Sequence, residues 1–309
     1  MHPDGWLNGQ EPLAWPVMDQ TFPDIGLICK PDNSAVADTL FLLTDELTRR
    51  GANILLDESA AAYFDQPDHA LVERQELARR CQLAIVVGGD GTMLNAARSL
   101  ADSDVAVLGV NLGRLGFLAD VSPDEMCQQL GDILDGRYQE EHRSLLHASV
   151  IRHDRIVSES DALNDVVVHK WDIARMIDLD TYIDGHFLFS LRADGLIVST
   201  PTGSTAYALS GGGPILEPAL AALVLVPICP HTLSNRPIVL SDDVEVEIMV
   251  HGEDSTKAQI TCDGQVNFGL ISGDHIRITR KNQHLRLIHP CQHDHFDIMR
   301  RKLRWAEQP

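Results

Sequence analysis

The sequence predicts an α/β N-terminal domain, a parallel sheet with helices on both faces, followed by a β-rich second domain. Three observations carry that expectation. Over residues 21–141 short apolar runs alternate with segments of helical spacing, the pattern of a parallel sheet covered by helices. Near His142 helical spacing gives way to clustered and alternating β-formers separated by turn signals. Between one strand run and the next helix stands Gly88-Gly89-Asp90-Gly91, a turn in which glycine lets backbone approach a ligand closely.

The elements follow in order. A strand is expected over 25–29, then an amphipathic helix over 35–50 stopped by Gly51. A second strand covers 53–56 and a second helix 71–81. The strand over 83–87 feeds the Asp90 turn, and the helix over 93–100 leaves it. A further strand over 105–110 ends in the glycine-containing turn 111–116, and the helix over 123–134 carries acidic residues in its first turn. Ligands of such folds bind beyond the carboxyl ends of the strands, where Asp90 and Asn111 lie. In the second half, β segments are expected at 147–152, 166–169, 176–183, 244–250, 259–262 and 275–280. Asp184-Gly185, Asp263-Gly264 and Ser272-Gly273-Asp274 are the turns between them. The expected organisation is a loosely ordered extension at 1–20, the α/β domain at 21–141, the β-rich domain at 142–289 and a tail at 290–309. Met18 is the expected native start.

Bulk properties bound the partners. The 309 residues suffice for two domains with real cores, and 44% hydrophobic with 23% charged residues is ordinary for a globular chain. Twenty-five basic against 45 acidic residues leave a net charge of −20, which argues against nucleic-acid or anionic-membrane partners. Six scattered cysteines without a Cys-x-x-Cys pair fit reduced thiols in a cytoplasmic protein. No apolar run is long enough for a membrane span, and the first residues lack a signal-peptide pattern.

Two segments carry the chemistry. The N–H groups opening the helix after Asp90 favour an anion, so Asp90 sits where a phosphate donor and an acceptor hydroxyl can meet. The plain alternative is that Asp90 caps that helix. A hundred residues on, Arg192 to Pro214 is rich in hydroxyls and glycine, a polar and closely approachable surface for ribose, phosphate and amide groups. Its plain alternative is a surface loop. Ordered runs at 196–198 and 206–209 bracket it too tightly for a floppy linker.

Together these stretches resemble the NAD kinase family. The resemblance lies in Gly88-Gly89-Asp90-Gly91, Asn111-Leu112-Gly113-Arg114-Leu115-Gly116-Phe117-Leu118, Leu163-Asn164-Asp165-Val166-Val167, and Asp194 through Pro214. It runs in order from about Ile25 to about Pro290. The first motif is shared with diacylglycerol and sphingosine kinases and, loosely, with phosphofructokinases, whereas the long second segment resembles NAD kinases alone.

The resemblance implies transfer of the γ-phosphoryl group of ATP, with Mg²⁺ or another divalent cation, to the 2′-hydroxyl of the adenosine ribose of NAD. Asp90 would accept the hydroxyl proton, with Gly91 beside it; for a loose transition state, orienting the hydroxyl matters more than basicity. Asn164 and Asp165 match the family's Asn-Glu pair on the adenosine ribose, with an acid here one methylene shorter. Thr205, Ala206, Tyr207 and Ser210 match adenine and ribose contacts, and Gln265 a late contact from the β-rich domain. Arg192 can reach a pyrophosphate or nicotinamide end and Asp194 can accept from an amide or a ribose, the plain alternative for either being a surface ion pair; Arg175 falls at a substrate contact of variable type. An arginine at 192, where polyphosphate users carry glycine, favours ATP as donor. The family also implies a homo-oligomer, dimer or tetramer, whose subunits complete each other's sites, and a tail that packs back on the first domain.

Other readings are weaker. Cys291-Gln292-His293-Asp294-His295 superficially resembles a metal cluster but lacks the second ligand pair of a structural zinc site, so a solvated polar tail and no metal are expected. Neither a P-loop nor a Gly-x-Gly-x-x-Gly turn occurs. A diacylglycerol-type lipid kinase would need a basic or amphipathic membrane face, which this acidic chain lacks. A nucleotide-binding regulator without turnover would not need the acid at position 90.

Overall fold

A computed structural model describes residues 22–30, 34–64, 68–113, 116–171, 175–232, 234–252 and 258–305. The expected extension with Met18, and Arg114 and Leu115 of the glycine turn, lie outside these residues. The first half alternates as expected: β1 (Asp24–Cys29), α1 (Ser34–Arg49), β2 (Asn53–Leu56), the single turn α2 (Glu58–Ala61), β3 (Ala70–Leu71), α3 (Arg74–Arg80), β4 (Leu83–Gly88), α4 (Asp90–Leu100), β5 (Ala106–Asn111) and α5 (Met126–Leu134). These strands pair in parallel in the order β5-β4-β1-β2-β3. Both faces are covered. Val36, Leu40, Leu43 and Leu47, at helical spacing on α1, pack with Met126, Leu130 and Ile133 of α5 against Leu27, Ile85 and Leu108. Leu77 of α3 and Met93, Leu94, Ala97 and Leu100 of α4 pack against Ile28, Val86 and Val107 on the other side. Each such leucine, isoleucine, valine or methionine contributes about 1.5–3 kcal/mol by leaving water.

Three boundaries differ from expectation: the helix expected over 93–100 begins already at Asp90, directly after its N-cap Gly89. Residues 70–71 pair with β2, so the helix expected from Leu71 begins only at Arg74. The helix expected over 123–134 begins at Met126, because the preceding residues form a turn.

The second half is β6 (Tyr138–Arg152), β7 (Arg155–Ala162), β8 (Asp165–Lys170), β9 (Ile177–Ile183), β10 (His186–Ala193), β11 (Gly195–Ser199), a 3₁₀ turn at Thr202–Thr205, the one-turn helix α6 (Tyr207–Ser210), β12 (Ala222–Ile228), β13 (Ile238–Ser241), β14 (Val246–His251), β15 (Ala258–Cys262), β16 (Val266–Leu270), β17 (His275–Pro290) and the terminal helix α7 (His295–Leu303). One antiparallel sheet runs β13-β12-β11-β8-β15-β16. The other, β10-β9-β14-β17, continues without interruption into the parallel sheet. The splice is β17. Its first part pairs with β14, its last part runs parallel to β5, and β6 follows it from end to end. That pairing explains a strand of 16 residues where the sequence suggests six.

The two sheets face each other across a core of alternating side chains, with Val166, Val168, Leu196, Val198 and Ile260 on one side and Leu146, Leu179, Ile248 and Ile276 on the other. Val167, Ile197, Val224 and Val226, from alternate positions of the first sheet, point outward and are capped by Ala208 and Leu216. The segment after Ser199 is thereby pressed onto the sheet.

Besides the β17 splice, one buried side chain ties α4 to the antiparallel sandwich. Asp263, in the turn after β15, adopts left-handed backbone at φ 53° and has a fully buried side chain. Its carboxylate accepts from the backbone N–H groups of Leu163, Asn164 and Asp165 at 3.1, 2.7 and 3.3 Å. It also accepts from Arg98 of α4 at 2.7 Å. Gln265 adds a bond from its amide to the Gly91 carbonyl at 2.8 Å and accepts from Arg98. Removing one partner of such a buried pair leaves an uncompensated charge, so Asp263→Ala should lower unfolding free energy by about 3–5 kcal/mol in urea titration. A loss below about 1 kcal/mol would show that Asp263 does not hold the halves together.

Candidate active site

Asp90 is the first residue of α4, and Gly89, not Asp90, is its N-cap. No side chain caps this helix, so the capping alternative does not hold. The carboxylate turns instead to the strand-end loop after β5, accepting from Phe117 N–H at 3.0 Å, Leu118 N–H at 3.1 Å and Ala119 N–H at 3.4 Å. Gly116 makes room for it. A Cβ there would stand 2.2 Å from Asp90 Oδ1. Three of the roughly four acceptor directions of the carboxylate are thus used by backbone, which fixes its orientation and leaves little beyond one for a ligand.

Around Asp90 a cavity of about 290 Å³ is lined by Phe117, Arg143, Asn164, Thr202, Thr205 and Ala206, and closed by His295 and Lys302. Asn164 and Ala206 also line a second cavity of about 450 Å³, which extends past Asp165, Tyr207, Asp263 and Asn267. Gly89 and Gly91 face a third, of about 460 Å³, with Lys30, Ser59 and Arg74 at the carboxyl ends of β1 and β4. The Asp90 turn therefore stands between a polar cleft reaching into the antiparallel sandwich and an open pocket at the start of α4.

The hydroxyl-rich segment is mostly occupied with itself. Thr200 Oγ1 donates to Leu163 O at 2.6 Å and accepts from Gly203 N–H. Ser204 Oγ donates to Pro201 O at 2.6 Å and accepts from Leu216 N–H at 2.9 Å. Ser199 Oγ donates to Asn164 O at 3.0 Å. Gly203 is needed at this crossing, because a Cβ would lie 2.1 Å from Asn164 O. Of these hydroxyls, those of Thr202 and Thr205 line the Asp90 cavity. Ser210 ends α6 exposed and lines none of these cavities.

The remaining expected residues divide. Gly91, Asn164, Asp165, Thr205, Ala206, Tyr207 and Gln265 gather around the first two cavities or the turn beside them. Arg192 and Asp194 lie beyond the opposite end of β8 and β11, where Gly195 pairs with His169, about 13 Å along the strands from the Asp165 end. Arg192 is 64% exposed and 3.9 Å from Asp178; Asp194 pairs with Lys170 at 2.7 Å. Arg175 is exposed just before β9. Within one chain these three do not share a cavity with Asp90.

Sequence reading missed the cations. Arg143, inside β6, is almost fully buried, pairs with Glu141 and donates to Thr202 Oγ1 at 3.4 Å. Lys302 comes from α7, its ammonium 5.3 Å from the centre of the Phe117 ring. Residues 291–295, expected to be solvated, bury the His293 side chain and lead through the Asp294 cap into a helix with Ile298 and Met299 buried. Neither cation carried a local signal: each reaches the cavity only through β17 and α7. His295, also from α7, is kept neutral by burial and by Arg143, and both its ring nitrogens are buried without a hydrogen-bond partner.

With the site described, comparison places the chain. Residues 25–138 match the family model described as ATP-NAD kinase N-terminal domain and residues 163–290 the ATP-NAD kinase C-terminal domain. A NAD kinase of Nitrosococcus oceani is 48% identical over 291 residues, 94% of this chain and 99% of that one. One of Pseudomonas entomophila is 47% identical, covering 94% and 98%. Among solved structures, yeast NADH kinase complexed with NADH superposes with a TM-score of 0.85 at 25% identity, covering 93% of this chain and 88% of its own. A NAD kinase from Archaeoglobus fulgidus in complex with ATP gives 0.71 at 27% identity, covering 91% and 98%.

Asp165 gives the site a pH signature. Burial, and then the charge of Asp263, raise its carboxyl to about 7. Between about pH 4 and pH 7 the folded chain holds a proton that the unfolded chain has released, so this group's contribution to stability falls as pH rises through that window. Asp165→Asn removes the effect. In urea unfolding the variant should gain on the parent by about 2–4 kcal/mol between pH 5 and pH 8. An unchanged difference across that range would mean that Asp165 ionises freely in the folded chain.

Proposed function

The chain belongs to the NAD kinase family of phosphotransferases, and we propose that Asp90 is the group that orients and deprotonates the acceptor hydroxyl. The family reaction moves the γ-phosphoryl group of ATP to the 2′-hydroxyl of the adenosine ribose of NAD, giving NADP. One observation carries the residue assignment: a single cavity is lined both by the Asp90 carboxylate and by Asn164, Thr202, Thr205 and Ala206. In this reading NAD lies along the joined first and second cavities. Asn164 and Asp165 hold the adenosine ribose, and Ala206 and Tyr207 flank the base. ATP enters from the third pocket, where its phosphates meet the opening N–H groups of α4 and Lys30.

Phosphoryl transfer depends on position and on spreading charge. Asp90 is held by three N–H groups, so the hydroxyl that it accepts from is fixed relative to the pocket beyond Gly89. Arg143, Lys302 and the neutral His295 supply positive and hydrogen-bonding groups within a chain of net charge −20. A divalent cation fits as part of the ATP complex. Asp90 is the one carboxylate lining its cavity among the described residues, and Mg²⁺ keeps waters and phosphate oxygens as most of its ligands. When bound, the cation neutralises charge on the transferring phosphate.

Arg175, Arg192 and Asp194, remote from Asp90 in one chain, fit a homo-oligomer in which they serve a neighbouring subunit's nicotinamide end. The six free thiols suit a cytoplasmic protein, three of them buried and raised to about 11 or 12. Among the described residues no helix is long and apolar enough to cross a membrane.

Two substitutions test the assignment. Asp90→Asn should keep NAD affinity by calorimetry within a few-fold while kcat falls about 10²–10⁴-fold, the usual range for a general base; near-normal turnover removes Asp90 from the mechanism. Gly116→Ala, whose Cβ pushes on Asp90 Oδ1 and on the Ala119 carbonyl, should lower kcat by a similar order in protein shown folded by circular dichroism, and unchanged kcat would show that the orientation set by this loop is unimportant.

A further inference from the structure

A buried cluster of charge sits at the junction of β17 and α7, and its members other than Arg143 line none of the three cavities. Its centre is His289, near the end of β17, and His293, just before α7, whose rings stack 3.8 Å apart at 26°. Both rings place Nδ1 on Asp120 Oδ2, at 3.0 and 2.6 Å. An ionised carboxylate only accepts, so both Nδ1 atoms donate and each ring turns Nε2 the other way. Glu141 of β6 faces those atoms, with Oε2 3.6 Å from His289 and Oε1 3.7 Å from His293. Arg143 in turn donates to Glu141 Oε2. From α7, Asp294 is half exposed and His295 is neutral, so neither adds a buried charge.

The two imidazoles are 1% and 2% exposed, Asp120 8% and Arg143 3%, so water screens these charges poorly. Two carboxylates against one guanidinium leave one buried negative charge. A single proton added to the stacked pair cancels it. Two added protons would set like charges face to face at 3.8 Å, and none would aim two lone pairs at Glu141. Burial alone would lower the pKa of His289, but the carboxylates of Asp120 and Glu141 outweigh it and raise the group above its ordinary value.

The cluster reaches the Asp90 site from two sides. Asp120 directly follows Phe117, Leu118 and Ala119, whose N–H groups hold the Asp90 carboxylate. Glu141 holds Arg143, which lines the Asp90 cavity and donates to Thr202 Oγ1. We propose that one proton shared by His289 and His293 keeps this loop and Arg143 in place, making the two histidines positioning residues for phosphoryl transfer. That role depends on Asp90 being the acceptor base; the protonation state of the pair does not. When the proton leaves, Glu141 faces two lone pairs and Asp120 loses the attraction of a cation, so both supports of the site slacken. Because folding raises the affinity of the pair for its proton, the support is complete at lower pH and is lost as pH rises.

Proton–nitrogen NMR of the histidine rings in the full chain, assigned with His289→Gln and His293→Gln, reads the pair directly. At neutral pH both rings should carry Nδ1–H and the pair one further proton. In steady-state assays kcat should fall along an alkaline limb that tracks the loss of that proton. Asp120→Asn removes one of the two negative charges, so limb and titration should both move to lower pH by about one unit or more, and Asp120→Glu should bring them back toward the parent. Circular dichroism confirms that each variant is folded, and the parent titration stands without any variant. A pair with no further proton or with two at neutral pH overturns the inference, as does a kcat that stays level while the pair titrates or a limb that folded Asp120→Asn leaves in place. Failure of the Asp90 assignment shows differently, as near-normal turnover in Asp90→Asn with the ring spectra as expected.

Discussion

The bond between Asp263 and Arg98 is what makes one site out of two halves. The motif bearing Asp90 belongs to the parallel sheet, and Asn164 and Asp165 open a strand of the antiparallel sandwich. Nothing in either half alone sets the distance between them. Asp263 does so by accepting three successive N–H groups from 163–165 and a guanidinium N–H from α4, all from a fully buried position. Its left-handed backbone and the following Gly264 at φ 64° aim the carboxylate back at the chain. The same charge has a second effect: it stands beside Asp165 and helps to keep that acid protonated near neutrality.

Charge placement follows from this geometry. A net charge of −20 would repel nucleotides, yet the described lining of the Asp90 cavity includes one carboxylate and two cations. The acids near Arg143 are themselves held: burial pushes Asp120 up, but hydrogen bonds from His289 and His293 outweigh it and bring its carboxyl down to about 2. Glu141 is likewise held below the usual carboxylate range, with His289 and Arg143 beside it. Local compensation of this kind leaves the surface acidic while the cleft remains receptive to phosphate.

Much of this was legible in the sequence. Alternation of apolar runs and helical spacing disclosed the parallel sheet, and the turns at Asp184-Gly185 and Asp263-Gly264 are where left-handed backbone occurs. The gathering of Asp90, Asn164, Thr205 and Ala206 follows motifs that are contiguous in the chain. Arg98, Arg143, Asp263 and Lys302 were not legible as functional residues, because each matters only through a partner between about 60 and 190 residues away in contacts set by the sheet order. The hydroxyls of 199–204 misled in a different way. Composition suggests a ligand surface, whereas burial against Val224 and Val226 turns most of them inward to satisfy backbone. Residues 291–295 misled as well: their polar side chains suggest solvent, whereas the His293 side chain is 2% exposed and Asp294 caps a helix with Ile298 and Met299 buried.

The joined cavities suit one adenosine that bridges the two halves with its ribose against Asp90. A crystal structure of this chain with NAD measures it directly. The 2′-oxygen should lie within about 2.6–3.2 Å of Asp90 Oδ2, with the ribose between Asn164 and Thr205. An adenosine bound elsewhere, or one whose 2′-oxygen faces away from Asp90, would contradict it.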